Sequence, residues 1–266
     1  MSIEITGYSN PQVKRVRSLR DKKGRRAEQR FLAEGLRILT EARDAGHLPE
    51  AIWMNGKVAP HPLAQELAAE TEAAGGEVFL TTPDILAKIS GKDNPQTVLG
   101  VYAEHWTPLD ALDRTKADIW LVAERLRDPG NLGTILRTGD AVGAGGLILV
   151  GDCTDAFSVE AVRASMGAVF TQAIVRAEWD EFLGWLRAGP GELIGTSLNT
   201  THDYQDPAYT RPAFILIGNE SQGMPADYES ACDTLVKMPM RGRADSLNAA
   251  MACAVMAYEV LNQFRR

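Results

Sequence analysis

The sequence predicts an α/β protein of two domains: a small α/β domain at the N-terminus and a larger one built on a mostly parallel sheet with helices on both faces. Three observations predict it. A chain of 266 residues with 45% hydrophobic content can bury one large core or two smaller ones, and the length favours two. Short apolar runs alternate with helical segments through the second half, the pattern of parallel strands joined by helical crossovers. Between them WTPLDALDRTKA loses periodicity and contains Pro108, which places a boundary near residues 106–116. The expected domains are 1–106 and 107–266.

Taken in chain order, the N-terminus MSIEITGYSNPQVKR lacks the apolar stretch of a secretory leader. Residues 1–43 carry eleven Lys and Arg against five Asp and Glu, a net +6, so that by difference from the chain total of -7 the remainder carries -13. This basic stretch reads either as a solvated helix face or as an electrostatic footprint on a phosphate backbone. With Tyr8 and Phe31 as its only aromatics, it favours backbone contact over base stacking. RFLAEGLRILTEARDAG spaces Phe31, Leu32, Leu36, Leu39 and Ala42 as one helical face and stops on Gly46, which predicts a helix beginning at about Phe31. AIWMN, EVFLTT and TVLGVYAEH read as strands, separated by the helical PLAQELAAETEAAGG and PDILAKIS. After the boundary come the strands IWLVAERL, LILVG, TQAIVRA, ELIGTS, AFILIG and TLVKMP. The helix from Leu247 to Val260 is apolar nearly all round, which suits a core or a subunit interface.

Several classes of chemistry are poorly supported. GxxxxGK[ST] is absent, and GAGG at 143–146 precedes a strand where a dinucleotide fingerprint would follow one. His47, His61, His105 and His202 are scattered without ligand spacing, and neither HExxH nor GxSxG occurs, so no metal is expected. Cys153, Cys232 and Cys253 lack CxxC pairing and suit reduced, buried thiols in a cytoplasm. The longest uncharged run near the C-terminus, SLNAAMACAVMAY, is too short to span a bilayer, and a soluble cytoplasmic protein without a membrane partner is expected.

Ligands of open α/β sheets collect beyond the carboxyl ends of the strands, and three loops there are unusually polar. The first is ERLRDPGNLGTILRTGD, holding Asn131 and Arg137; the second is GNESQGM, Gly218 to Met224; the third is KMPMRGRADSLN, a basic loop ending on Ser246 and Asn248. Asn131 or Ser246 alone could be a helix cap, and any one glycine an ordinary turn residue. Together the loops concentrate more Asn, Glu, Arg and Ser than capping needs.

In this order NLGTILRTGDAVGAGGLILVG, LIGNESQGM and MPMRGRADSLNAAMACA resemble the three motifs of the SpoU/TrmH family of RNA ribose methyltransferases, and RFLAEGLRILTEA resembles the start of that family's RNA-binding N-domain. The resemblance covers the second domain, CTDAFSVEAVRASMGAVF included. It implies a SPOUT-type α/β knot, an S-adenosylmethionine cofactor, an RNA substrate and a homodimer with its active site near the interface. Carried over residue by residue, it implies cofactor contacts from Ile217, Gly218, Met238, Leu247 and Ser197, with the glycine permitting close backbone approach. It implies catalytic roles for Asn131, Arg137, Glu220, Ser246 and Asn248, with Glu220 holding its loop through Asn131 or Arg137. Lys14, Arg15, Lys22, Lys23, Arg25 and Arg26 are the expected RNA contacts. The chain departs from the usual pattern at Asp245, where glutamate more often precedes SLN, and at Gly139-Asp140, where alanine more often follows Arg-Thr. Transfer to a 2′-hydroxyl of ribosomal RNA is the expected activity. A transfer-RNA methyltransferase, an inactive RNA-binding or assembly factor of the same fold, and a nucleotide-binding oxidoreductase remain alternatives.

Overall fold

A computed structural model of the protein describes residues 2–266. They form two compact units, one holding the residues through His105 together with Phe157–Thr171, the other Trp106–Ala156 and Gln172–Arg266.

The first unit contains β1 (Ile3–Ile5), α1 (Pro11–Ser18), α2 (Lys22–Glu28), β2 (Arg30–Glu34), α3 (Leu36–Asp44), β3 (Ala51–Asn55), α4 (Pro62–Ala73), β4 (Glu77–Thr81), α5 (Pro83–Ser90) and β5 (Val98–Ala103). Its sheet has the order β1-β4-β3-β5-β2, with β5 antiparallel to both neighbours. The single helix expected from Phe31 is corrected here. Residues Arg30–Glu34 form a strand, and only Leu36–Asp44 are helical. Phe31, Leu32 and Ala33 are all buried, so this strand is covered on both faces and lacks the apolar/polar alternation that would distinguish it from a helix. Gly35, at φ 99°, makes the break between the two elements, a conformation that glycine adopts without strain.

A single cut near residue 106 would assign Phe157–Thr171 to the second domain, yet this segment clusters with the first unit. Phe157 and Phe170 pack on Phe31 with ring centroids 4.8 and 5.7 Å away, and His105 Nε2 lies 2.7 Å from the Val169 carbonyl. Aromatic packing against a strand more than 100 residues upstream leaves no local mark in the sequence.

The second unit contains β6 (Ile119–Glu124), α6 (Pro129–Val142) and β7 (Gly146–Val150), after which the chain contributes α7 (Val159–Ser165) to the first unit. It continues with β8 (Ala173–Ala177), α8 (Trp179–Arg187), β9 (Glu192–Thr196), β10 (Ala213–Ile217), α9 (Ala226–Ala231), β11 (Thr234–Val236) and α10 (Ala249–Phe264). The sheet order is β11-β9-β10-β6-β7-β8, and every pairing is parallel. β6, β7 and β10 are buried along their whole length, as strands covered on both faces must be. From β6 the chain proceeds to β7 on one side, whereas β10 lies on the other. The order therefore reverses between β6 and β10, and a crevice opens at their carboxyl ends. No helix among the described residues is long and apolar enough to cross a membrane.

Candidate active site

Two loops leave that crevice, and side chains lace them together. After β10 the chain reverses between Asn219 and Gly223, which exchange backbone hydrogen bonds of 3.2 and 3.0 Å. Asn219 Oδ1 accepts from the Ser221 and Gln222 amides at 3.0 and 3.1 Å, and its Nδ2 donates to the Arg125 carbonyl at 2.8 Å. Its own N–H donates to Glu124 Oε2 at 3.3 Å. Glu220 then accepts from the Arg127 and Asp128 amides, at 3.0 and 3.1 Å, and from Asn131 Nδ2 at 3.1 Å. Partial burial alone would raise the Glu220 carboxyl, but these three donors and its own backbone N–H hold it below the usual carboxylate range.

Helix caps decide which side chains remain available. Asp128 caps α6 by accepting from the Asn131 amide at 2.7 Å, so Asn131 spends its own side chain elsewhere. Its Oδ1 accepts from Asn248 Nδ2 at 2.9 Å. Asn248 caps α10 with its Oδ1, which accepts from the Ala250 and Met251 amides, and uses its other amide atom for Asn131. A chain Glu220–Asn131–Asn248 thus ties the three polar loops to one another. Ser246 stays exposed, its Oγ 3.4 Å from Asp245 Oδ1.

Beside this chain lies a cleft of about 400 Å³. Ile217, Gly218, Met238, Leu247 and Ser197 all line it, as do Glu220 and Ser246. Asn131, Arg137 and Asn248 are not in its lining. Gly218 also has a reason internal to the fold: a Cβ there would sit 2.7 Å from the Gly223 carbonyl carbon and the Met224 nitrogen. The loop's own return past β10 demands the glycine. Around the expected Ser197 the cleft also holds Glu229 and Asn199, which the sequence did not single out. Glu229, on α9, accepts from Asn199 Nδ2 through both oxygens at 3.1 Å, and from Ser197 Oγ through Oε1. These residues lie about 30 positions apart and have no motif of their own. Glu124 was also missed; it is 1% exposed, and its Oε1 has no hydrogen-bond partner. Burial raises its carboxyl, opposed by the Asn219 N–H and by the charges of Arg125 and Arg127.

Arg137 does not join the network. Six positions separate it from Asn131, about 120° around a helix axis, and it is exposed with no hydrogen bond or ion pair among the described residues. In the first unit, Lys14, Lys22, Lys23 and Arg26 are exposed, while Arg15 pairs with Glu28 at 2.8 Å. Arg25 is corrected: it is 3% exposed, and its Nη1 donates to the Leu19 and Arg20 carbonyls at 2.9 and 2.7 Å. Its guanidinium closes the end of α1 and is not presented to a ligand. No group of three or more His, Cys, Asp or Glu able to hold a metal occurs among the described residues.

The site and its fold have known counterparts. Residues 118–258 match the SpoU rRNA Methylase family and residues 10–100 an MRM3-like substrate binding domain. The chain is 32% identical over 251 residues to a 23S rRNA (uridine(2479)-2'-O)-methyltransferase of Streptomyces viridochromogenes, covering 92% of this chain and 86% of the relative. It is 28% identical to the 23S rRNA (guanosine(2553)-2'-O)-methyltransferase RlmP of Bacillus subtilis, covering 97% of this chain and 98% of the relative. An AdoMet-bound rRNA methyltransferase from Sinorhizobium meliloti superposes with a TM-score of 0.92 at 38% identity, covering 98% of each chain. A parallel sheet reversing between β6 and β10, three polar loops tied at that point and a match over most of the second unit lead to one assignment: the chain belongs to the SpoU rRNA Methylase family.

Proposed function

We propose that the protein transfers a methyl group from S-adenosylmethionine to a ribose 2′-hydroxyl of ribosomal RNA. The observation that carries this reading is the cleft at the sheet's reversal point, lined by Glu220, which the hydrogen bonds to Asn131 and on to Asn248 tie to the neighbouring loops. Its volume falls in the range of small-molecule sites. Its lining pairs apolar surface from Ile217, Met238, Met240 and Leu247 with polar groups from Ser197, Asn199 and Glu229, which suits a ligand with an aromatic base, a ribose and an amino acid. The cofactor supplies an electrophilic methyl on a sulfonium.

The protein's own residues then have to position a weakly acidic alcohol in line with that methyl and stabilise the charge that develops. Arg137 clamps the neighbouring phosphate and polarises the hydroxyl; a guanidinium offers donors and no acceptor, so another group takes the proton. Asn131 and Ser246 orient the ribose or the arginine, while Glu220 and Asn248 hold the loops. Glu220, already accepting three hydrogen bonds, is suited to holding and not to proton transfer. The first unit binds the RNA through Lys14, Lys22, Lys23 and Arg26.

The functional form in this reading is a cytoplasmic homodimer. Met251, Val255 and Tyr258 are exposed on α10 at helical spacing, and Leu247 is exposed just before it. α6, which carries Arg137, packs against α10, so an interface on that stripe keeps Arg137 close to it. We also read the C-terminal segment as threaded into a knot; the strand order β11-β9-β10-β6 and the packing of α10 on β10, β6 and α6 support this. Such threading departs from the usual rule for chain connections.

The test is transfer of a labelled methyl group from S-adenosylmethionine into unmodified total RNA, which is size-separated and hydrolysed with alkali. A 2′-O-methyl blocks cleavage at its own linkage, so label should appear in alkali-resistant dinucleotides from the large ribosomal RNAs. Label in the transfer-RNA fraction alone would redirect the substrate. No label in any fraction, with cofactor binding intact, would leave an RNA-binding factor.

A further inference from the structure

Residues 239–248 join β11 to α10 and form one rim of the cleft, which Met240, Asp245, Ser246 and Leu247 line directly. Between those lining residues stand Arg241 and Arg243, both exposed. Neither makes a hydrogen bond, ion pair or ring contact among the described residues. Asp245, the nearest acid in sequence, accepts from Ser246.

These two cations are unusual for their surroundings. Residues 106–266 hold 14 Lys and Arg against 21 Asp and Glu, and several of the other arginines there are engaged within the second unit. Arg127 pairs with Asp152 at 2.9 Å, Arg187 with Asp233 at 2.8 Å and Arg211 with Asp118 at 3.0 Å. An acidic surface repels a polyanion, and RNA can reach the cleft only where the local charge is positive. Two unpaired guanidinia on the cleft rim, four and two residues upstream of Asp245, supply that charge where the target ribose has to enter. Their planar forks match phosphate oxygens.

We propose that Arg241 and Arg243 bind the phosphodiesters that flank the target ribose, guiding the RNA strand over the cleft mouth. This rests on the reading of the protein as an RNA ribose methyltransferase. The pair belongs to substrate binding and is independent of the cofactor and of Arg137.

The experiment compares the full-length protein with Arg241→Ala/Arg243→Ala and Arg241→Lys/Arg243→Lys. Methyl transfer to unmodified ribosomal RNA is measured across a range of KCl concentrations, and S-adenosylmethionine affinity by calorimetry. For the alanine pair we expect KM for RNA to rise about tenfold or more. The slope of log(kcat/KM) against log salt should become shallower by roughly 0.7–0.9 for each arginine removed. Cofactor affinity should stay within about twofold, a ratio small beside the tenfold that one factor of 1.4 kcal/mol produces. The lysine pair should restore the salt slope while recovering only part of KM. A salt slope unchanged in the alanine pair overturns the proposal, and so does a loss confined to cofactor affinity, which would assign the loop to the cofactor. If the unsubstituted protein itself methylates no RNA, the underlying reading fails instead, a result distinct from either of these.

Discussion

Glu124 carries a cost that the rest of the site does not explain away. Its carboxyl is buried, one oxygen takes a 3.3 Å hydrogen bond from the Asn219 amide, and the other takes no hydrogen bond and has only Arg125 Nε at 3.8 Å. Burial lifts the carboxyl above its usual value, against the opposing pull of the Asn219 N–H, Arg125 and Arg127, with Asp227 adding to the rise. A carboxyl protonated more easily in the folded than in the unfolded chain gives a stabilising contribution that is full below the unfolded value of about 4.3 and is lost as pH rises through the raised folded value. Glu124→Gln keeps an acceptor for Asn219 and removes the charge. Relative to the parent protein its melting temperature should therefore gain between pH 4 and pH 7, and a difference that stays constant over that range would show that Glu124 is not held unfavourably ionised. Glu220 shows the opposite balance, the Arg127, Asp128 and Glu220 amides and the Asn131 side chain together outweighing burial. Its contribution is present above the ordinary carboxylate range and is lost as pH falls through the depressed folded value. Of these two carboxylates, only Glu220 stands in a motif; Glu124 reads in the sequence as the last residue of a buried strand.

At the level of elements, the second unit was far more legible than the first. Its six strands are continuous apolar runs flanked by glycine, proline or polar residues, and each matches a strand in the structure. In the first unit β1 and β2 escaped notice, because Ile3–Ile5 is only three residues long and Arg30–Glu34 is followed by a true helix that lent it false periodicity. The polar loops were visible in the sequence, but the distribution of capping duties among them was not. Asp128 and Asn248 take the caps, which releases Asn131 to bridge, and that choice depends on backbone geometry at two helix starts. α10 was legible as apolar all round, and the structure divides that surface: Cys253, Met256, Ala257 and Val260 face inward, Met251, Val255 and Tyr258 outward. If the outward stripe is the interface, Met251→Glu/Tyr258→Glu should give a monomer of unchanged helix content by light scattering and circular dichroism, with methyl transfer reduced at least tenfold. Retention of the parent's mass would remove the stripe from the interface.

For the molecule as a whole, the sequence's net +6 over residues 1–43 suggests one uniform basic footprint, and the structure separates it into cations with different duties. Side chains of α1 and α2 alternate between core and solvent, so a charge count along the chain cannot tell a cap from a ligand contact. Lys22 and Lys23 project from the start of α2 into solvent, and neither is engaged in an ion pair or hydrogen bond among the described residues. Arg25, two positions on, turns inward to the Leu19 and Arg20 carbonyls. The two sites should therefore fail in opposite ways. Lys22→Ala/Lys23→Ala is expected to leave the melting temperature within about 1 °C, since surface changes of this kind stay within about 0.5 kcal/mol. The same pair should lower RNA affinity at low salt and flatten its salt dependence by roughly 0.7–0.9 for each phosphate no longer neutralised. Arg25→Ala removes charge-assisted hydrogen bonds of about 1.5–3 kcal/mol each and leaves buried carbonyls without donors, so it should lower the melting temperature by several degrees. Below its melting transition, RNA affinity and salt slope should match the parent. A flattened salt slope in Arg25→Ala, at a temperature where the variant is folded, would return Arg25 to the RNA surface; an unchanged slope in the lysine pair would move that surface elsewhere on the first unit.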